Sequence, residues 1–78
     1  MPTIVIEGYL VRFYSSDRVE PPHVHVFRAG SEAKVWLVPV RLERNRGYND
    51  VEVRRVLRIV SENATRLLEA WHAYFGNS

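Results

Sequence analysis

The spacing of apolar residues changes period at Asn49, and nothing else in the chain restricts its fold as much. Beyond that point Val53, Leu57, Val60, Ala64, Leu67, Trp71 and Tyr74 recur at alternating intervals of four and three. Val56, Leu68 and Phe75 widen the stripe, so the segment predicts an amphipathic helix with a broad apolar face. Asn49 is placed to cap it, with Glu52 completing a capping box and Tyr48 and Val53 in the staple positions. Gly76 is a natural stop before the Asn77-Ser78 tail. Before Asn49 the pattern is short β-branched and aromatic runs: Ile4–Ile6, Tyr9–Tyr14, His23–Arg28, Glu32–Val38 and Val40–Asn45. Gly8 bends the first of these, Ser15-Ser16-Asp17-Arg18 is a turn cluster, Ala29-Gly30-Ser31 is a hairpin signal, and Pro39 limits the strand before it. The expectation is an α+β fold in one domain, 1–78. An antiparallel sheet of about four strands (residues 4–45) carries one long C-terminal helix (residues 50–75) packed on one face.

Such a helix would be roughly 39 Å long at 1.5 Å per residue. Strands of six residues span only about 20 Å. The helix therefore overshoots the sheet or breaks near Ser61-Glu62-Asn63. Either way Leu67, Leu68, Trp71, Tyr74 and Phe75 need cover, and a partner surface is the expected source. The 78 residues are 46% hydrophobic and include no cysteine, so a small core holds the fold without disulfides or thiolate–zinc sites. Homo-oligomerisation is expected on those grounds. No segment approaches the roughly 20 apolar residues of a membrane span, and no leader pattern opens the chain. A cytoplasmic protein is the expectation.

Side chains alternate between the faces of a strand. The helix-facing set is then Tyr9, Val11, Phe13, Val24, Val26, Val35, Leu37, Val40 and Leu42. The opposite face carries Leu10, Arg12, Tyr14, His23, His25, Phe27, Lys34, Trp36, Arg41 and Glu43. Phe27 and Trp36 are costly to leave in water and mark that face as a docking surface. A single bulge would exchange members between the two sets.

Pro21-Pro22-His23-Val24-His25-Val26 puts two imidazoles side by side on that second face. As acid–base groups, His23 and His25 with Lys34 and Arg12 would be enough for a metal-independent ribonuclease: a base, an acid and cations for phosphate. As metal ligands they need a third donor, with His72, Glu20 and Glu32 as candidates, none at a motif spacing. As structural groups they hydrogen-bond across strands or stack on Trp36. The reading adopted uses no metal and no cofactor. His72 beside Trp71 is assigned to packing or capping.

The formal charge is +2, and Lys34 is the only lysine among eleven cationic residues. Arg41, Arg44, Arg46, Arg54, Arg55 and Arg58 cluster at the strand–helix junction, where a phosphate backbone or an acidic partner would fit. The opposing reading is a solvated face with Arg58–Glu62 and Glu62–Arg66 as i,i+4 pairs. No Walker loop, Rossmann glycine pattern, nucleophile elbow or zinc-finger spacing is present, which excludes most large enzyme classes.

Met1-Pro2-Thr3-Ile4, Phe13-Tyr14-Ser15, Pro21-Pro22-His23-Val24-His25-Val26, Ala33-Lys34-Val35-Trp36-Leu37, Pro39-Val40 and Gly47-Tyr48 occur in an order that resembles a family of small prokaryotic proteins. Leu57-Arg58-Ile59-Val60 and the closing Trp71, Tyr74 and Phe75 follow the same pattern. The family is the domain-of-unknown-function family numbered 4160, whose members are often encoded beside a small protein of the family numbered 2442. The resemblance implies a toxin–antitoxin-type module, with shared polar positions at His23, His25, Lys34 and Trp36, and a variable loop at Asp17-Arg18-Val19-Glu20. The expected function is a small cytosolic toxin–antitoxin component that binds or cleaves RNA through the His23/His25 face, with the cognate protein as partner. The alternative is a non-catalytic binding module that pairs with that partner, or with itself, through Phe27, Trp36 and the helix end at Leu67, Leu68, Trp71, Tyr74 and Phe75.

Overall fold

The computed structural model describes residues 3–76; the Met1-Pro2 opening and the Asn77-Ser78 tail lie outside the described residues. Five strands, β1 (Thr3–Ile6), β2 (Tyr9–Arg12), β3 (His23–Arg28), β4 (Ser31–Leu37) and β5 (Val40–Arg46), form one antiparallel meander in chain order. Two helices follow, α1 (Asp50–Glu62) and α2 (Ala64–Phe75), and a short 3-10 turn (Ser15–Val19) links β2 to β3. The α+β class is as expected, with two differences. Ile4–Ile6 belongs to a full strand, because Glu7 and Gly8 both take positive φ (51° and 85°). That is the backbone of a two-residue hairpin turn rather than of a bend within one strand. Ala29 and Gly30 (φ 50° and 84°) close the β3–β4 hairpin in the same way.

The second difference is that the helix breaks. Asn63 leaves helical geometry at φ −113° and ψ 12°, and its Nδ2 donates to the Ile59 carbonyl at 2.8 Å, which also accepts the Asn63 amide at 3.1 Å. Each resulting helix is about 18–20 Å long, close to the span of strands of six or seven residues. Asn49 caps α1 as expected, its Oδ1 accepting from the Glu52 amide at 2.9 Å. The Glu52 carboxylate does not reach back to complete the box. It accepts from Tyr9 Oη at 2.7 Å and from Arg55 at 2.6 Å, tying the helix start to the sheet instead.

One face of the sheet is dry. Tyr9, Val11, Phe13, Val24, Val26, Val35 and Leu37 are buried there as expected, joined by Ile6 and Ala33. Val40 and Leu42, on the edge strand, are only half-buried. From the helices come Val56, Ile59, Val60, Leu67 and Trp71; Ile59 sits between the expected stripe positions and is fully buried. Each such side chain contributes roughly 1.5–3 kcal/mol on burial. Tyr48 closes the core at the junction, donating its hydroxyl to the Val26 carbonyl at 2.9 Å. Burial pushes the Tyr48 phenol up to about 12, with the Tyr9 and Glu52 charges adding to the effect.

Leu67 and Trp71 therefore need no partner to cover them, which corrects the expectation for these two. Beyond Asn63, α2 packs against the end of the sheet. There Phe13 meets Trp71, Tyr74 and Phe75 at ring-centroid distances of 5.2, 5.5 and 5.4 Å. Leu68 and Phe75 are half-buried against this core, and Tyr74 keeps an exposed side.

Candidate functional site

The other face of the sheet is uncovered by helices and holds the histidines. Cross-strand register sets it out in rows: Arg12, His25, Lys34 and Arg44 in one, His23, Trp36 and Arg41 in the next, and Val5, Leu10, Phe27, Glu32 and Arg46 in a third. A bulge between Lys34 and Val35 inserts Glu43 as an extra residue on β5, which brings Arg44 and Arg46 onto this face as well.

His23 and His25 lie on the same side, with ring centroids 5.2 Å apart. They are not in the open, however. His23 has 0% and His25 7% of its surface exposed. Two elements account for this. Trp36 and Trp71 each approach the His23 ring at 5.4 Å, the second reaching round from α2. The Ser15–Val19 turn then folds across the pair. Its first residues lock themselves: the Tyr14 amide donates to Asp17 Oδ2 at 2.7 Å, and the Asp17 amide to the Tyr14 carbonyl at 2.9 Å. That leaves the Asp17 carboxylate directly over both rings, Oδ1 at 3.3 Å from His23 Nε2 and Oδ2 at 3.1 Å from His25 Nε2.

The remaining ring nitrogens are held from behind. His23 Nδ1 is 2.9 Å from the Pro21 carbonyl, and His25 Nδ1 is 3.1 Å from Glu32 Oε2. A carbonyl and an acceptor-only carboxylate both require a donor opposite them, which assigns a proton to each Nδ1. Both Nε2 atoms turn toward the Asp17 carboxylate, and His25 Nε2 hydrogen-bonds its Oδ2 at 3.1 Å, so the His25 ring is held between two acceptor carboxylates, Asp17 and Glu32. The His23 contact is out of hydrogen-bond line, so this fully buried Nε2 has no hydrogen-bond partner.

Three carboxylates surround the pair, all held below their ordinary range. Burial alone would raise Asp17, but the Tyr14 amide and the two imidazoles together outweigh it. Glu32 follows the same balance, with His25 and Arg44 overcoming burial. Exposed Glu20 is lowered chiefly by its 2.6 Å bond from Lys34 Nζ. Lys34 also sits over the Trp36 ring, 5.0 Å from its centroid, and Trp36 donates from Nε1 to Glu43 at 2.8 Å.

Of the three third donors considered for the histidines, Glu32 serves as a partner to the back of His25. Glu20 is 3.7 Å from His23 Nδ1, and His72 lies on α2. The residue that joins both rings is Asp17, which the sequence reading placed in a variable loop. Its only sequence signal was a turn cluster shortly before a strand. The cationic residues divide between two surfaces. Arg12, stacked 5.4 Å over Phe27, shares the open sheet face with Arg41, Arg44 and Arg46, while Arg54, Arg55 and Arg58 line the solvent side of α1. Arg44 pairs with Glu32, Arg55 with Glu52, and Arg58 with Glu7 and Glu62. Among the described residues, Arg12, Arg41, Arg46 and Arg54 make no ion pair.

The sequence model of the family described as "Domain of unknown function (DUF4160)" matches residues 8–72, and the chain belongs to that family. No curated protein and no solved structure matches it. The matched stretch runs from the turn before β2 to α2 and takes in the whole histidine cluster.

Proposed function

From its place in that family and the build of its open sheet face, we propose that this protein is a binding component of a two-protein, toxin–antitoxin-type pair in the cytoplasm. It takes its cognate small protein on the face that carries Val5, Leu10, Phe27 and Trp36. One observation carries the reading: Val5 and Leu10 are 64% and 37% exposed in a cross-strand row with Phe27, on a face no helix covers. Exposed apolar side chains beside aromatics and arginines have the composition of a protein interface. Arg41 and Arg46 flank the rows without carboxylate partners, so the complementary surface is apolar at its centre and acidic at its rim. The imidazoles act here as scaffold, holding the Ser15–Val19 turn against the sheet.

RNA is the rival occupant, because aromatics and arginines on an open sheet also suit bases and phosphates. The protein partner is favoured because Asp17, Glu20, Glu32 and Glu43 lie among those cations and largely balance them. The test is expression alone and with the neighbouring gene product, scoring growth and co-purification. A stable complex that Leu10→Asp and Trp36→Ala each abolish, and His25→Gln spares, supports this reading. Growth arrest that His25→Ala relieves in a folded chain, with RNA cleavage lost in parallel, overturns it in favour of a ribonuclease toxin. A homodimer dispersed by Leu10→Asp would assign the face to a second copy instead.

A further inference from the structure

The geometry points to a binding site for a divalent transition-metal ion of the zinc class, with His23 Nε2, His25 Nε2 and the Asp17 carboxylate as its three protein ligands. The inference goes beyond the partner reading and does not depend on it. Three features converge. The first is spacing. The three ligand atoms all lie within 4.8 Å of one another, and the two nitrogen–oxygen separations are 3.3 and 3.1 Å. Metal–ligand bonds of about 2.0–2.1 Å in tetrahedral array set neighbouring ligand atoms roughly 3.3–3.4 Å apart. The two contacts use different oxygens of Asp17, Oδ1 and Oδ2, so the widest ligand separation closes by up to about 1.5 Å as an ion binds.

The second feature is proton placement. A metal-bound histidine usually donates its other ring nitrogen to a carbonyl or carboxylate, which fixes the tautomer and aims the free lone pair at the ion. His23 does this through the Pro21 carbonyl and His25 through Glu32. Each ring thus turns its Nε2 inward toward the Asp17 carboxylate, and the proton through which His25 Nε2 bonds Asp17 Oδ2 at 3.1 Å is the one an ion would displace.

The third feature is the unpaired atom. His23 is fully buried, yet its Nε2 has no hydrogen-bond partner despite lying 3.3 Å from Asp17 Oδ1. A neutral imidazole facing a carboxylate there sets two lone pairs against each other in a site shielded from water, at a cost that buried polar groups seldom carry. A cation there satisfies His23 Nε2 and takes the place of the proton in the His25–Asp17 hydrogen bond, serving all three groups together. The nitrogen ligands argue for zinc or a neighbouring first-row ion over magnesium or calcium, which prefer oxygen. Three protein ligands leave one position for water. The ion would join the Ser15–Val19 turn to β3, two segments that otherwise meet through these side chains.

The full chain, stripped with chelator and dialysed, is titrated with Zn²⁺ by calorimetry and with Co²⁺ by visible absorption. The expected result is one ion per chain with a dissociation constant at or below about micromolar, and a cobalt spectrum of tetrahedral intensity. Asp17→Asn, His23→Gln and His25→Gln should each weaken binding by about a hundredfold or more. Glu32→Gln, which loosens only the support of His25, should weaken it about ten- to a hundredfold. His72→Gln and Mg²⁺ serve as controls and should show no effect and no binding. Folded wild-type protein that takes up no Zn²⁺ at about 100 μM overturns the proposal, as does affinity unchanged by Asp17→Asn. If a ligand variant fails to fold, nitrogen NMR of the wild type decides. Zinc must shift the His23 and His25 Nε2 resonances, and their indifference to zinc rejects the site. Partner capture by metal-free protein distinguishes failure here from failure of the partner reading.

Discussion

The two faces of this sheet carry similar numbers of aromatic side chains but handle them by different physics. On the helix-covered face, Phe13 is fully enclosed by Trp71, Tyr74 and Phe75, and its worth is area removed from water. On the open face, Phe27 lies under the Arg12 guanidinium and beside His25, and Trp36 spends its indole N–H on Glu43. The first face supplies stability. The second pairs aromatics with charges that hold one another in place, and it leaves an apolar strip in water. A surface can be specific and ordered without being a core.

The sharpest way to break this contrast is a matched pair of truncations. Phe13→Ala should cost about 3–5 kcal/mol, enough to unfold much of the population in a urea titration. Phe27→Ala should cost only about 1 kcal/mol and act on partner binding instead. Equal losses of stability would mean that the open face is part of the core. Next in size is Gly47→Ala, in the connection between β5 and α1. Its φ is +100°, and a Cβ there would stand 2.6 Å from Ser31 Oγ. A loss of about 1–3 kcal/mol is expected, measured by thermal unfolding. Ser31→Ala should restore little of it, because the Ser31 Cβ is itself 3.2 Å from the added atom.

A smaller effect sharpens the account of the covered face. The Tyr48 phenol titrates at about 12 when folded, against 10.0 for the free group. A group raised on folding favours the folded state fully below its unfolded value, so stability should hold to about pH 10 and then fall toward pH 12. Tyr48→Phe should flatten that alkaline decline while losing about 1 kcal/mol at neutral pH, the value of its bond to Val26. The smallest effect belongs to the solvent side of α1. Arg58 bridges Glu7 and Glu62 where all three are exposed, and Arg58→Ala should change the urea midpoint by no more than about 0.5 kcal/mol in stability.

Most of the covered face is legible in the sequence. Tyr9, Val11, Val24, Val26 and Val35 follow strict alternation, and alternation is a local property of an extended backbone. The placement of His23 and His25 on one side follows from the same rule. What resisted reading was the cover over them. Asp17 is six residues from His23 and eight from His25, in a turn with no periodic signal. Its role exists only once that turn folds across β3. The turn at Glu7-Gly8 is not legible locally, because a bend and a two-residue hairpin share one composition and differ in which strands pair.

The chain's own residues determined the switch from strands to helix at Asn49, the cap there, the dry face of the sheet and the shared side of the two imidazoles. These depend on interactions within a few residues, which spacing and side-chain type specify. Tertiary structure alone decided that Trp71 of α2 reaches both Phe13 and His23, and that Asp17 closes over the histidines. It also decided that the arginines part onto two surfaces. Such outcomes depend on segments far apart in sequence settling against one another, where packing and charge compensation across the whole fold outweigh local preference.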